Sequence, residues 1–153
     1  MSVTDKRIVW DRGDGAISIL IPSEEWAGTI EELQAKDVPS GVTSYIVNYS
    51  DFPSDFNFID AWSYSPSGGF SVNMTVARNN HREAIRRARK TKLVELDVEF
   101  QRALESGAST TSIVAKKQAL RDAPSDSSID DATDGDALKA QWNTSILGST
   151  PYK

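Results

Sequence analysis

Residues 74 to 106, MTVARNNHREAIRRARKTKLVELDVEFQRALES, run on without a single glycine or proline. Arg, Glu, Ala, Leu and Lys dominate the stretch, and these side chains lose little rotamer freedom on a helix, so it predicts one long α-helix. Asn73 or Thr75 is placed to cap its start, and Gly107 sits where a terminal glycine would end it. Some thirty helical residues reach roughly 45 Å, longer than a compact small domain requires. The helix must project or pair with something.

Its apolar pattern suggests what it pairs with. Leu93, Leu96, Phe100, Ala103 and Leu104 form a heptad-like seam, widened by Val94 and Val98. After the short break SGAS, Ser109 or Thr110 opens a second helix, TSIVAKKQALRD, stopped by Pro124. A link this short folds the two helices back as an antiparallel hairpin, with Ile113, Val114 and Leu120 expected against Leu96, Phe100 and Leu104. Residues 78–92 then have little of their own to bury. DALKAQW gives a last short helix, and NTSILGSTPYK reads as a loose tail.

Upstream of residue 65 the period changes from helical to extended. RIVW and AISILIP flank DRGDG, a turn in which Gly13 and Gly15 can take positive φ, which is a hairpin signature. Thr29 and Glu32 fit a capping box opening the helix IEELQAK. TSYIVNY reads as a strand with Tyr45, Val47 and Tyr49 on one face and Ile46 on the other. NFIDAWSY is ambiguous between a short strand and a helical turn, and SPSGGF reads as a linker. The expected class is α+β: a small antiparallel β-sheet domain (residues 1–64), a Gly/Pro linker (65–72), a helical hairpin with a short terminal helix (73–142), and a tail (143–153).

Composition removes several functions. With no cysteine among 153 residues, disulfides, thiol catalysis and most structural zinc sites are excluded. No apolar run approaches the roughly 20 residues needed to span a bilayer, and the first residues carry no signal-like apolar segment, so folding in the cytosol is expected. Charge is banded: four Lys/Arg against eleven Asp/Glu in residues 1–70, seven against one in 71–92, and six against ten in 93–153, or −7, +6 and −4. Such a basic band can face an acidic protein surface or nucleic acid.

The individual motifs favour surface chemistry over catalysis. Arg82, Arg86 and Arg89 share one face of the long helix, yet no aromatic interrupts the basic run and its acidic flanks would repel a duplex. A solvated helix face is the simplest reading. His81, the single histidine, has no motif around it and is expected to be an exposed helical residue. DDATDGD lacks the ligand order and terminal glutamate of a calcium loop, and turn and cap chemistry accounts for its aspartates. The adjacent carboxylates Glu24 and Glu25, or Glu31 and Glu32, point in different directions and make poor acid/base pairs. Catalytic residues, metal ligands and cofactor sites are therefore assigned to none.

Two stretches carry a resemblance. DGAISILIPS with TIEELQAKDVPSGVTSYIVNYSDFPSDFNFIDAW, and MTVARNNHREAIRRARKTKLVELDVEFQRALESG with IVAKKQALRDAPSD and ALKAQW, resemble small bacteriophage and prophage proteins encoded beside tail-fibre genes. The shared features are Asp37-Val38-Pro39, Gly41, Ile46-Val47, Asp51, Pro53, Phe58, Ala61-Trp62 and the run Lys116 to Asp122. The SPSGGF insert and the residues beyond Trp142 depart from the pattern. Some such proteins are regarded as tail-fibre assembly chaperones. The resemblance implies a non-enzymatic protein that binds tail-fibre chains, transiently to help a trimer fold in the host cytoplasm, or permanently as a structural subunit of the virion tail beside other tail or baseplate proteins. A nucleic-acid-binding role for residues 78–92 is the remaining alternative. The partner-binding candidates are Trp10, Phe52, Phe58, Trp62, Arg78, Arg82, Arg86 and Arg89, with no membrane partner.

Overall fold

A computed structural model describes residues 2–153. The architecture is α+β, with a small antiparallel sheet preceding a long helix and further helices. The chain divides between Ala77 and Arg78 into two compact units.

In the first unit, β1 (Lys6–Asp11) lies between β2 (Ile17–Leu20) and β3 (Ser44–Asn48), antiparallel to both. Strand alternation sends successive side chains of β1 to opposite faces, and each face acquires its own core. Ile8 packs with Ile30 and Leu33 of α1 (Ile30–Asp37), while Val9 packs with Ile17, Val47 and Trp62. The capping box opens α1 as expected: Glu32 N–H donates to Thr29 Oγ1 and Thr29 N–H to Glu32 Oε2. Between β1 and β2 the turn depends on Gly15, at φ +86°, where an added Cβ would lie 2.9 Å from Asn73 Nδ2 and from Val76 Cγ2. Asn73 Nδ2 donates to Gly15 O, and Asn73 Oδ1 accepts from Thr75 and Val76 N–H, capping the long helix.

The ambiguous segment NFIDAWSY contains both alternatives in succession. Phe56–Ala61 forms 3-10 turns and Trp62–Ser65 is β4. β4 pairs antiparallel with β5 (Gly69–Val72), register Trp62 to Val72 through Ser65 to Gly69. The stretch expected as a linker is therefore the turn and second strand of a hairpin: its glycines serve reversal of the chain, and Phe70 returns to the core. Tyr49, expected on the strand face of Tyr45 and Val47, begins a 3-10 turn and is exposed.

The long helix is α2 (Met74–Ser106), 33 residues. At its end Gly107 adopts φ +70°, Ala108 N–H donates to Ala103 O (2.8 Å) and Gly107 N–H to Leu104 O (3.2 Å), a Schellman turn. In the second unit α3 (Thr111–Asp122) runs back antiparallel, since Arg89 meets Leu120 and Arg121 while Asp97, farther along α2, meets Lys117. Leu96, Ala103, Ile113 and Leu120 are buried along this hairpin, but Leu104 and Val114, expected in the same seam, are exposed. A two-helix seam covers one narrow stripe per helix, and the seam here runs through Ala103, one residue before Leu104.

Three short helices follow: α4 (Ser128–Asp131), α5 (Gly135–Lys139) and α6 (Thr144–Leu147). They bury Ile129, Leu138 and Leu147 respectively, and α6 packs against α3. The tail is thus not loose over its first half, and Trp142 Nε1 donates to Gly148 O at 3.1 Å. Among the described residues no helix is long and apolar enough to cross a membrane.

Candidate functional site

The aromatic candidates separate into buried and exposed members of one ring network in the first unit. Trp62 is 0% exposed and Phe58 is also buried, so neither is available at the surface, contrary to expectation. The cause is β4, whose alternation points Trp62 into the core beside Val9 and Val47. Its Nε1 is buried with no hydrogen-bond acceptor. Phe52 is half-buried between Trp62 (5.6 Å between centroids) and Phe70 (4.8 Å), and Trp10 is half-buried on the opposite face of the sheet.

From this interior the network reaches the surface at two places. Tyr49 contacts Phe52 at 5.6 Å, Phe56 contacts Trp62 at 5.1 Å, and both outer rings are exposed. Ile59 is exposed in the same 3-10 segment as Phe56, and the Arg7 guanidinium lies 4.7 Å over the Tyr49 ring. Exposed aromatics fixed from beneath by other rings lose little entropy on binding, which is the property of an interface anchor. Nothing in the residue pattern distinguishes Phe56 from Phe58 as the outward member, because alternation is lost in a 3-10 segment.

The arginine candidates behave differently from the sequence expectation. Arg78 donates to Ala132 O (2.7 Å), Arg82 to Pro124 O (3.1 Å) and Asp130 (2.6 Å), and Arg89 to Leu120 O (3.2 Å) and Arg121 O (2.7 Å). The accepting carbonyls lie in or just past the last turns of α3 and α4, where four carbonyls per helix lack an intrahelical donor and the dipole is negative. Three of the four cations are spent inside the unit as helix C-terminal caps. Arg86 alone of the four remains at the surface, paired with Glu83. The signal for this was present as a spacing, since Arg82 and Arg89 are seven residues apart on the face that also carries Ile85 and Leu96.

His81 is 1% exposed, which reverses the expectation of a surface histidine. Its Nδ1 lies 2.5 Å from the Tyr152 hydroxyl, the two ring planes are within 3° of parallel, and Trp142 meets His81 edge-on at 6.0 Å. Burial, assisted by the Arg82 charge, lowers the His81 pKa, and burial raises that of Tyr152 to about 12. Both groups are therefore neutral near pH 7, and His81 Nε2 is buried without a hydrogen-bond partner. The pair clamps the end of the chain to α2.

The aspartates of the acidic tract act as caps and turn acceptors. Asp134 Oδ1 accepts from Ala137 N–H to start α5, and Asp126 accepts from Ser128, whose hydroxyl lowers the carboxyl pKa. Among the described residues no group of three or more His, Asp or Glu side chains is gathered as a metal site. Comparison with protein-family models, with curated proteins and with solved structures finds no match to this chain.

Proposed function

We propose that the chain is a non-enzymatic accessory protein of a bacteriophage tail fibre, binding fibre chains through the exposed aromatic residues of its first unit. One observation carries the binding mode: Tyr49, Phe56 and Ile59 stand in solvent while Phe52 and Trp62 hold two of them from below. Rings exposed at the surface yet braced from within are what a partner surface can use as anchors. The tail-fibre assignment rests on the sequence resemblance. The nucleic-acid alternative would use the basic run of residues 78–92, of which Arg78, Arg82 and Arg89 already donate within the chain.

Co-expression with the fibre protein encoded beside its gene tests the reading. Soluble, trimeric fibre should increase, and a complex should survive size-exclusion chromatography. Phe56→Ala with Tyr49→Ala should weaken that complex by about tenfold or more while the far-UV circular dichroism is unchanged. If fibre yield is indifferent to the protein and no complex forms, the reading fails. Mass spectrometry of purified particles separates the two forms of the role: a transient chaperone is absent from the virion and a retained subunit is present.

A further inference from the structure

The solvent face of α2 in the second unit has a composition that the fold does not use. Val94 is 59% and Val98 46% exposed, one turn apart on the side of the helix away from buried Leu96 and Ala103. At about 100° per residue, Arg87, Val94, Val98 and Glu105 fall within roughly 40° of one another. Arg87, Lys90, Arg102 and Glu105, which surround the two valines, form no ion pair among the described residues. Read along the helix, the stripe is basic at Arg87, apolar at Val94 and Val98 and acidic at Glu105, with the exposed Leu104 beside it.

We propose that α2 pairs with α2 of a second copy of this chain in an antiparallel homodimer whose two-fold axis passes beside residue 96. A stripe of that order is complementary to its own reverse. About this axis Val94 meets Val98 and Arg87 meets Glu105, each twice. On one flank Lys90 comes opposite Asp97, which also meets Lys117, and on the other Glu95, which also meets Lys92, comes opposite Arg102, each offset by about 7.5 Å along the axis, within reach of a long basic side chain. Lys90 and Arg102, which share a level, lie on opposite flanks and do not meet. A parallel pairing would set Arg87 against Arg87 and Glu105 against Glu105, so orientation follows from charge. Self-pairing is favoured over an unrelated acidic helix because acidic and basic halves occur on one stripe. With two valines per copy the interface is small beside a stable dimer, so the association is weak, concentration-dependent and salt-sensitive.

Sedimentation equilibrium of the full chain over a range of concentrations provides the test. A monomer–dimer equilibrium is expected, weakened on raising sodium chloride from about 0.05 M to about 0.5 M. Arg87→Glu should weaken dimerisation by about tenfold, because two symmetric attractions become repulsions. Arg87→Glu combined with Glu105→Arg should restore it, and Val94→Glu with Val98→Glu should abolish it, all with unchanged far-UV circular dichroism. A chain that stays monomeric at high micromolar concentration overturns the proposal. So does a dimer indifferent to the valine substitutions, or a charge swap that fails to restore what the single reversal removed.

Discussion

The two units reach order by different means. The first builds two apolar cores on the two faces of a three-stranded sheet, one under α1 and one under the β4–β5 hairpin, and its polar groups are occupied mainly with turns and caps. The second has five α-helices, counting its part of α2, three of them of five residues or fewer, and it joins them by polar clasps from one face of α2. Short helices bury little apolar area and expose a high proportion of unpaired carbonyls. Arginine answers both needs: its stem covers apolar surface while its fork satisfies two acceptors. The difference teaches that a basic run inside an acidic chain can be internal architecture.

Substitutions can break this comparison, beginning where the apolar core is densest. Trp62→Ala should destabilise the protein by about 3–5 kcal/mol in urea unfolding, since it removes the ring shared by Val9, Val47, Phe52 and Phe56. Phe56→Ala, in the same network but exposed, should cost about 1 kcal/mol or less. Next in size, Arg89→Met should cost about 1.5 kcal/mol, because it keeps the apolar stem and removes the donors to Leu120 O and Arg121 O. If Arg89→Met is silent, the polar-clasp account of the second unit is wrong.

The His81–Tyr152 clamp gives a smaller effect with a defined pH sign. Because the folded His81 pKa lies below 6.5, the unfolded chain binds more protons there as pH falls, so stability should drop on acidification from about pH 7 toward the depressed value. It is the only histidine, so His81→Leu should flatten that part of the profile. On the alkaline side the sign reverses: Tyr152 ionises near 10 when unfolded and about 12 when folded, so stability is lost as pH rises through that interval. Tyr152→Phe should cost about 1 kcal/mol at neutral pH and remove the alkaline dependence. Smallest of all, Arg86→Met should change stability by less than about 0.5 kcal/mol, since its exposed pair with Glu83 is screened.

Local chemistry was readable in the sequence wherever a short-range rule operates. The Thr29–Glu32 box, Asn73 and Gly107 at the ends of α2, and the strands around DRGDG all follow from neighbours within four or five residues. What depended on distant partners was not readable. His81 is buried by Tyr152, 71 residues away, and Arg78 is engaged by a carbonyl 54 residues away, so neither burial leaves a local periodicity. SPSGGF reads as a linker because a hairpin turn and a linker share the same glycines and proline; only the aromatic pairing of Tyr64 with Phe70 across the turn distinguishes them. The exposed Phe56 and buried Phe58 differ through 3-10 geometry, which period-based reasoning does not resolve.

The clasps of α2 also set an order of assembly. Their sequence separations lengthen outward from the Gly107 turn: 32 residues for Arg89 to Arg121, 42 for Arg82 to Pro124, 54 for Arg78 to Ala132 and 71 for His81 to Tyr152. Each clasp formed shortens the free loop left for the next, so the entropy of closure is divided into small steps and the second unit closes like a zip from the turn toward the chain end. Contacts near the turn are then expected in the folding transition state and the tyrosine clamp in the last step. Weakening the Asp97–Lys117 pair should slow folding, whereas removing the Tyr152 hydroxyl should leave the folding rate alone and quicken unfolding.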